Sequence, residues 1–417
     1  MRTEIKQRIE LIQRSEVPNG YKKTRVGIIP TDWNVGTIGE CILEYKELSN
    51  NIKNIPVYSS SRKGLVPQSQ YYTQKEAIKT NLGYKIVPQG YVTYRHMSDD
   101  DIFHFNINDT GSKILVSSEY PVFTSSRKAV LKFLISALNE TGHFRFFCRA
   151  QKLGGTRTRL YLKNFVKYKL ALPSFTEQQK IAEILTSCDR VIELKEKLLA
   201  EKRQQKKYLM QQLLTGKKRL NGYTDEWKTV KLKNVLKERK TYSRKGMKYP
   251  HVTLSTEGIY PKNERYDRDH LVKSSEKEYK ITHLNDICYN PANLKFGVIC
   301  VNRYGDAIFS PIYVTFEIKS DRVLLGFLSY YIMRRDFINA VLKYQEGTVY
   351  ERMAVKPKDF LKSKIELPPI KEQIAISSIF KTADREIELL QRDLEHWKQK
   401  KKVLMQLLLT GIVRVSL

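Results

Sequence analysis

The sequence predicts a mixed α+β protein in which two homologous globular domains alternate with two long helices. The segment from Leu172 to Gly216 returns from Leu367 to Gly411 at a constant offset of 195 residues, which indicates a tandem repeat. Short runs rich in Val, Ile, Tyr and Phe, separated by Gly, Asn and Ser turns, precede each copy and are typical of strands. The expected layout is a leader helix at 1–24, a first domain at 25–171, a central helix at 172–216, a second domain at 217–366 and a C-terminal helix at 367–417.

Each repeated segment has the apolar spacing of a coiled-coil helix, with steps that alternate between four and three residues. The seam of the second copy is Ile376, Phe380, Ile387, Leu390, Leu394, Trp397, Leu404 and Leu408. The seam of the first copy is Ile181, Leu185, Ile192, Leu199, Leu209 and Leu213, with Lys195, Lys202 and Lys206 interrupting its middle. An ordinary buried bundle helix would show the same stripe, but long-range duplication favours a pair of rods, each about 60 Å long at ~1.5 Å per residue.

The ends of these helices also carry signals. Ser174 with Glu177 fits a capping box, and Gly216 and Gly411 fit C-terminal stops. The first helix leads into the second domain, and by the same geometry the second helix points back towards the first domain. The two helices are therefore expected to pair antiparallel, giving a pseudo-twofold arrangement.

Charge identifies the class of partner. The chain has 74 Lys and Arg against 44 Asp and Glu, a net charge of +30 over 417 residues. Base composition of the source genome could explain many lysines but not the imbalance over acids, so nucleic acid is the expected partner. The sequence contains no run of 18 apolar residues and starts with a charged segment, so neither a membrane span nor a signal peptide is expected. Five cysteines without a CxxC pair predict neither disulfides nor a zinc site, which fits the cytoplasm.

The two domains are diverged copies of each other. Trp33 and Trp227 are 194 residues apart, and Tyr94 and Tyr289 are 195 apart, so framework positions persist. The loops between them differ, because Arg95-His96 in the first copy corresponds to Asn290-Pro291 in the second. A shared scaffold with different loops predicts two recognition domains with different targets.

Polar and basic side chains in matching loops are the candidate DNA contacts, since bases need forked donors and amides, and phosphates need Arg, Lys or hydroxyls. For any single one of them ordinary surface polarity is the better explanation, so the hypothesis depends on the set that is repeated in corresponding loops. In the first domain the candidates are Tyr58, Ser59, Ser60, Ser61, Arg62, Lys63, Arg95, His96, Arg127, Lys128, Arg157 and Arg159. In the second domain they are Thr253, Ser255, Thr256, Asn290, Asn293, Lys295, Arg303, Tyr304, Tyr350 and Arg352.

The sequence carries no convincing catalytic motif. Asn290-Pro291-Ala292-Asn293 only faintly resembles an amino-methyltransferase box, and no GxxxxGK[ST] nucleotide loop occurs. The acidic runs at 99–101 and 276–278 could in principle hold a nuclease metal, but each is better interpreted as a solvated loop. The sequence therefore predicts a protein without catalytic residues or a metal site.

The doubled order of motifs resembles the DNA-sequence specificity subunit of type I restriction-modification systems. The motifs are Leu-Pro-x-x-x-Glu-Gln, a helix with Asp-Arg, and a Leu-Leu-Thr-Gly ending, and they start at Leu172 and again at Leu367. The segment at 23–33, which ends at Trp33, looks like the family's approach to its first domain. The likeness covers nearly the whole chain.

The resemblance implies that two target-recognition domains each recognise one half of a split, asymmetric site in double-stranded DNA, with the helices setting the spacing. It also implies two modification subunits, which bring S-adenosylmethionine and methylate adenine, and restriction subunits, which bring ATP, Mg²⁺ and cleavage. No cofactor is expected in this chain. The alternatives are a single-chain restriction or methylation enzyme with its own recognition domain, and a coiled-coil structural protein with incidental nucleic-acid affinity.

Overall fold

The computed structural model of the chain describes residues 3–49, 55–70, 83–140, 142–152, 156–244, 248–262, 278–346 and 353–415. The chain forms two compact units. The first unit comprises Met1–Lys195 with Asp393–Leu417, and the second comprises Glu196–Arg392. Both boundaries fall inside long helices, so each unit holds one globular domain together with a part of both helices.

The first unit begins with helix α1 and continues with short strands. Its strands are β1 (Tyr21–Thr24), β2 (Gly27–Pro30), β3 (Asn34–Thr37), β4 (Ile42–Glu44), β5 (Leu48–Ser49), β6 (Tyr58–Ser61), β7 (Gly64–Pro67), β8 (Tyr84–Val87), β9 (Val92–Thr93), β10 (Met97–Ser98), β11 (Asn106–Ile107), β12 (Ile114–Ser117), β13 (Val122–Ser125), β14 (Thr158–Arg159) and β15 (Lys169–Leu172). Its helices are α1 (Thr3–Gln13), α2 (Ile38–Cys41), α3 (Leu131–Glu140), α4 (Gly142–Arg149), α5 (Leu162–Phe165) and the start of α6 (Phe175–Leu213), with a 3₁₀ turn at Gln68–Gln70.

The second unit follows the same plan after α6 ends. Its strands are β16 (Lys228–Lys231), β17 (Leu236–Glu238), β18 (Tyr242–Arg244), β19 (Val252–Ser255), β20 (Gly258–Pro261), β21 (Glu278–Thr282), β22 (Ile287–Tyr289), β23 (Ile299–Val301), β24 (Ala307–Phe309), β25 (Val314–Ile318) and β26 (Lys364–Leu367). Its helices are α7 (Leu325–Ile332), α8 (Arg335–Leu342), α9 (Pro357–Phe360) and the start of α10 (Ile370–Leu409), with 3₁₀ turns at Leu232–Asn234 and Leu294–Phe296.

Strand order shows that the two domains are copies of one fold. The order β4-β13-β9-β11 in the first domain matches β17-β25-β22-β23 in the second, and β5-β8-β12 matches β18-β21-β24. The antiparallel pair β3–β15 of the first domain corresponds to β16–β26 of the second. The antiparallel pair β6–β7 likewise corresponds to β19–β20. The predicted mixed α+β class with two homologous domains is confirmed.

Aromatic side chains build the core of each domain. Tyr94 is fully buried with its ring centroid 4.7 Å from that of Phe105, and Tyr289 is fully buried 4.8 Å from Phe360. A buried tyrosine hydroxyl needs a partner. Tyr94 donates to the carbonyl oxygen of Leu160 at 3.0 Å, and Tyr289 donates to that of Val355 at 2.9 Å. The repeat therefore extends to individual buried hydrogen bonds.

Within each unit, α6 and α10 run in opposite directions and are joined by ion pairs. In the first unit Lys195 bonds to Asp393 at 2.5 Å and Lys401 to Asp189 at 2.5 Å. In the second unit Lys202 bonds to Glu386 at 2.6 Å, and Lys206 pairs with Asp384. The lysines that interrupt the apolar seam are thus matched by carboxylates of the opposite helix.

The seam residues named above are buried or half-buried along both helices. Ile181, Leu185, Leu199, Leu213, Ile376, Phe380, Leu394 and Leu408 are at most 5% exposed, while Ile192, Leu209, Ile387, Leu390, Trp397 and Leu404 are half-buried. The fully buried members at the start of α6 join a core with Leu408 and Leu409, and those at the start of α10 join the core of the second domain. None of the described helices has the length and apolar content to cross a membrane.

The capping box at the start of α6 is only half formed. Ser174 Oγ accepts a hydrogen bond from the backbone N–H of Glu177 at 3.2 Å, as expected. The Glu177 carboxylate does not return to Ser174 and instead bonds to a tryptophan and an arginine distant in sequence. A glutamate with stronger partners elsewhere therefore leaves the local motif incomplete.

Candidate nucleic-acid interface

A hairpin of the same construction projects candidate residues in each domain. In β6–β7, Ser61 Oγ donates to the Gly64 carbonyl oxygen at 2.9 Å, and in β19–β20, Ser255 Oγ donates to that of Gly258 at 3.4 Å. Both glycines have positive φ, 104° and 129°, which the tight turn requires. The tips differ in chemistry, because the first carries Arg62-Lys63 and the second carries Thr256-Glu257, all of them exposed.

Some candidates in the first hairpin hold the hairpin itself. Ser60 is 3% exposed and donates to the Thr93 carbonyl oxygen at 3.3 Å. Asn106 Nδ2 donates to Ser60 Oγ and to the Ser61 carbonyl oxygen, both at 2.8 Å. Tyr58 and Ser59 are half-buried. Ser60 is therefore poorly placed to contact a base, whereas the tip above it is open.

Arg62 and Arg157 converge on the acidic run at 99–101. Arg62 pairs with Asp100, and Arg157 Nε bonds to Asp99 Oδ1 at 2.8 Å. Arg149 lies 3.4 Å from the Asp101 carboxylate. Asp99 and Asp100 of this run remain solvent-exposed, and its carboxylates pair with three arginines that are distant in sequence. The other acidic run, at 276–278, lies outside the described residues except for Glu278.

Two further basic candidates of the first domain, Arg95 and Arg159, lie near a buried histidine. His96 is 4% exposed, 3.9 Å from Glu119 and stacked on Tyr161 with centroids 5.7 Å apart. Burial lowers the pKa of His96, so its ring is neutral at pH 7. Its neighbour Arg95 is exposed, as is Arg159, which pairs with Met97 in β14–β10.

Arg127 and Lys128 lie just before α3 and are exposed. Lys128 Nζ is 3.7 Å from the Glu40 carboxylate, a separation at which an exposed ion pair contributes at most about 1 kcal/mol. The backbone carbonyl of Lys128 accepts a hydrogen bond from Gln178, which fixes the loop to α6.

In the second domain, the loop at Asn290 is built in a similar way. Asn290 is 6% exposed, and its Oδ1 accepts from the backbone N–H of Ala292 at 3.1 Å, so this candidate holds the loop rather than facing solvent. Asn293 and Lys295, which follow, are exposed. Arg335 donates to the Lys295 carbonyl oxygen at 2.5 Å and thereby ties this loop to α8.

The other second-domain candidates are placed as follows. Thr253 and Ser255 are half-buried in β19. Arg303 and Tyr304 are exposed, and Arg303 donates to Asn285 Oδ1 at 2.7 Å. Tyr350 and Arg352 lie outside the described residues.

A buried glutamate lies at the start of each long helix. In the sequence it was identified only as part of a repeated motif, without a structural role in the tertiary fold. In the first unit, Glu177 is 1% exposed and accepts from Trp33 Nε1 at 3.0 Å and from Arg414 at 2.7 and 2.9 Å. In the second unit, Glu372 is fully buried and accepts from Trp227 Nε1 at 3.1 Å and from Arg219 at 2.8 and 2.7 Å.

We call these two constellations the Trp-Glu-Arg clamps. The two glutamates and the two arginines each lie 195 residues apart, so the repeat offset could have revealed them. The clamps hold the helix starts against the domains, and their glutamates are too buried to contact DNA. Bidentate bonds to Glu177 and Asp32 raise the pKa of Arg414, which therefore stays charged.

The described residues contain no group of three or more His, Cys, Asp or Glu side chains that could hold a metal ion. Burial raises the pKa of the thiols of Cys41, to about 11, and of Cys148, to about 12, so neither is a thiolate nucleophile at pH 7.

Comparison with known proteins agrees with this geometry. The family model described as "Type I restriction modification DNA specificity domain" matches residues 30–202. A Methanocaldococcus jannaschii protein assigned as the specificity subunit of the type I restriction enzyme MjaX is 24% identical over 95% of this chain and 97% of its own length. The MjaVIII specificity subunit of the same organism is 26% identical over 65% of this chain and 68% of its own length.

Solved structures show the same fold. The type I restriction-modification S subunit from M. genitalium aligns with a TM-score of 0.55 at 12% identity, over 96% of this chain and 99% of that one. Residues 30–202 therefore match the type I restriction-modification DNA specificity domain, and the chain over nearly its whole length is similar to a protein assigned as the specificity subunit of a type I restriction enzyme.

Proposed function

We propose that this chain is the DNA-recognition subunit of a type I restriction-modification complex and that each of its two domains recognises one half of a bipartite, asymmetric site. The observation that carries the proposal is the pair of domains with the same strand order but different exposed loop residues. Two copies with identical loops would favour a symmetric site. The different hairpin tips, Arg62-Lys63 and Thr256-Glu257, instead predict two different half-sites.

Binding begins with charge. The excess of 30 positive charges attracts the phosphate backbone and makes affinity strongly dependent on salt concentration. Base contacts then select the sequence. The exposed candidates best placed for contact with DNA are Arg62, Lys63, Arg95, Arg127, Lys128, Arg157, Arg159, Thr256, Asn293, Lys295, Arg303 and Tyr304.

The chain contributes recognition rather than catalysis, as the names of its relatives indicate. Two modification subunits would bring S-adenosylmethionine and transfer its methyl group to adenine, and restriction subunits would bring ATP and Mg²⁺. The ion-paired helices α6 and α10, with exposed side chains such as Leu194, Tyr208 and Leu389, are the proposed docking surface for the modification subunits.

The direct test is methylome sequencing of a host that expresses this chain with its modification subunit. We expect adenine methylation at one two-part asymmetric motif, and we expect it to be absent from a host that expresses the modification subunit alone. Methylation that persists unchanged without this chain would refute the recognition role and would favour a partner that recognises DNA by itself.

Modularity gives a second prediction. Replacing residues 25–171 with the first domain of another specificity subunit is expected to change one half of the methylated motif and to leave the other half unchanged. The reciprocal exchange of residues 217–366 is the matched control and should change only the opposite half. If either exchange altered both halves, the two domains would not be independent recognition modules.

A further inference from the structure

The acidic turn Asp99–Asp101 lies between β10 and β11 and is unexpected on a domain that is proposed to bind a polyanion. The turn is held in one conformation by its own hydrogen bonds. Ser98 Oγ donates to Asp100 Oδ1 at 3.0 Å and accepts from the backbone N–H of Ile102 at 3.1 Å. Asp101 has a positive φ of 64°, and its carboxylate, only 15% exposed, accepts from Thr158 Oγ1.

The turn pairs with arginines from three separate segments of the domain. Arg62 comes from the tip of the β6–β7 hairpin, Arg157 directly precedes β14, and Arg149 ends α4. Partial burial alone would raise the pKa of Asp100, but the hydrogen bonds from Ser98 and Arg62 outweigh it and hold that pKa below its usual value. The carboxylate is therefore charged throughout the physiological pH range.

Arg62 and Arg157 remain available for a further partner. Their side chains are 55% and 53% exposed. A guanidinium has five N–H donors, and the described pairs with Asp100 and Asp99 use one donor of each arginine. A long side chain that is already held by one bond loses less conformational freedom when it binds DNA.

We propose that Asp99 and Asp100 are positioning residues of the first recognition domain, which hold Arg62 and Arg157 in the orientation that sets the base preference of one half-site. The inference rests on the proposed function of the chain. The carboxylates act through the arginines and do not contact the DNA themselves. The corresponding hairpin tip of the second domain carries Thr256-Glu257, so it offers no arginine in the place of Arg62.

A simpler electrostatic effect would have a different signature. If the carboxylates only repelled phosphates, removing them would strengthen binding to all DNA alike and leave the base preference unchanged. Positioning instead predicts a loss of preference confined to one half of the motif. The two effects are therefore separated by measuring preference at each base position rather than overall affinity.

The test compares the methylomes of hosts that express the modification subunit with the original chain, with Asp99→Asn/Asp100→Asn, or with Asp109→Asn. Asp109 is exposed in the same domain and pairs with no arginine among the described residues, so it controls for loss of charge. We expect the double variant to raise methylation at sites with one mismatch in one half by about tenfold, the scale of one good base contact. The other half, and both halves for Asp109→Asn, should be unchanged.

Two further results decide the inference. Asp100→Asn added to Arg62→Ala should cause no additional loss of preference, because a positioning residue has no effect once its partner is gone. An unchanged motif in the double variant, or equal relaxation by Asp109→Asn, would overturn the inference. Absence of any motif with the original chain would instead refute the proposed function. Thermal melting of the purified variants within a few degrees of the original excludes simple unfolding.

Discussion

Replacing Arg414 by alanine is expected to destabilise the first unit by about 3 kcal/mol, because it leaves the buried Glu177 carboxylate without its compensating charge. Of the hydrogen bonds to the Glu177 carboxylate described above, only the one from Trp33 would remain. Arg219→Ala should have a similar effect on the second unit, where Glu372 is fully buried. Hydrogen exchange measured by mass spectrometry can assign each loss to its unit.

Two variants make this prediction specific. Arg190→Ala, on the exposed face of α6 in the same unit, should change stability by less than about 0.5 kcal/mol, as surface substitutions usually do. Glu177→Gln combined with Arg414→Ala should recover much of the loss, since a neutral amide can still accept from Trp33. If Arg414→Ala were as mild as Arg190→Ala, the clamp would contribute little and another group would have to compensate Glu177.

The repeat shows how much of the fold the sequence could predict. The offset of 195 residues predicted the shared fold, and Tyr94 and Tyr289, which are related by it, make the same buried hydrogen bond in their own domains. Periodicity predicted the long helices, since helix formation depends on neighbours three and four residues away. Both signals are local or repeated, so one sequence is enough to detect them.

What the sequence could not predict depends on partners that are far apart along the chain. Lys202 and Lys206 look like defects in one helix, and only the opposite helix shows the carboxylates that match them. Asp100 and Arg62 are 38 residues apart, so their pairing could not be predicted from the sequence.

The polar type of a residue also does not indicate whether that residue is buried in the fold. Ser60 and Asn290 were candidates for DNA contact because of their side-chain chemistry. Both are buried, and their side chains form hydrogen bonds that hold the segments in which they lie. Their hydroxyl and amide groups suit a base edge and a backbone carbonyl equally well. Only the position of the surrounding strands decides between these two partners.

The second large effect concerns two glycines at equivalent positions, Gly411 and Gly216, which end the long helices with φ of 72° and 69°. Gly216→Ala is expected to cost about 1 kcal/mol, the usual penalty for a left-handed residue with a Cβ. Its Cβ would lie 3.6 Å from the Trp227 ring, an ordinary contact. In Gly411→Ala the Cβ would lie 2.6 Å from the Pro30 ring and 3.2 Å from Trp33, so overpacking is added to the same backbone strain.

We therefore expect Gly411→Ala to cost about 3 kcal/mol in urea unfolding, roughly 2 kcal/mol more than its repeat-related counterpart. Because the backbone strain is common to both, the difference reports the tight contacts with Pro30 and Trp33. Relative to Pro30→Ala alone, adding Gly411→Ala should cost the backbone strain of about 1 kcal/mol together with the smaller penalty of the contact with Trp33. Equal costs for the two glycine variants would mean that β2 moves aside freely, and that the end of α10 does not fix the position of the strand before Trp33.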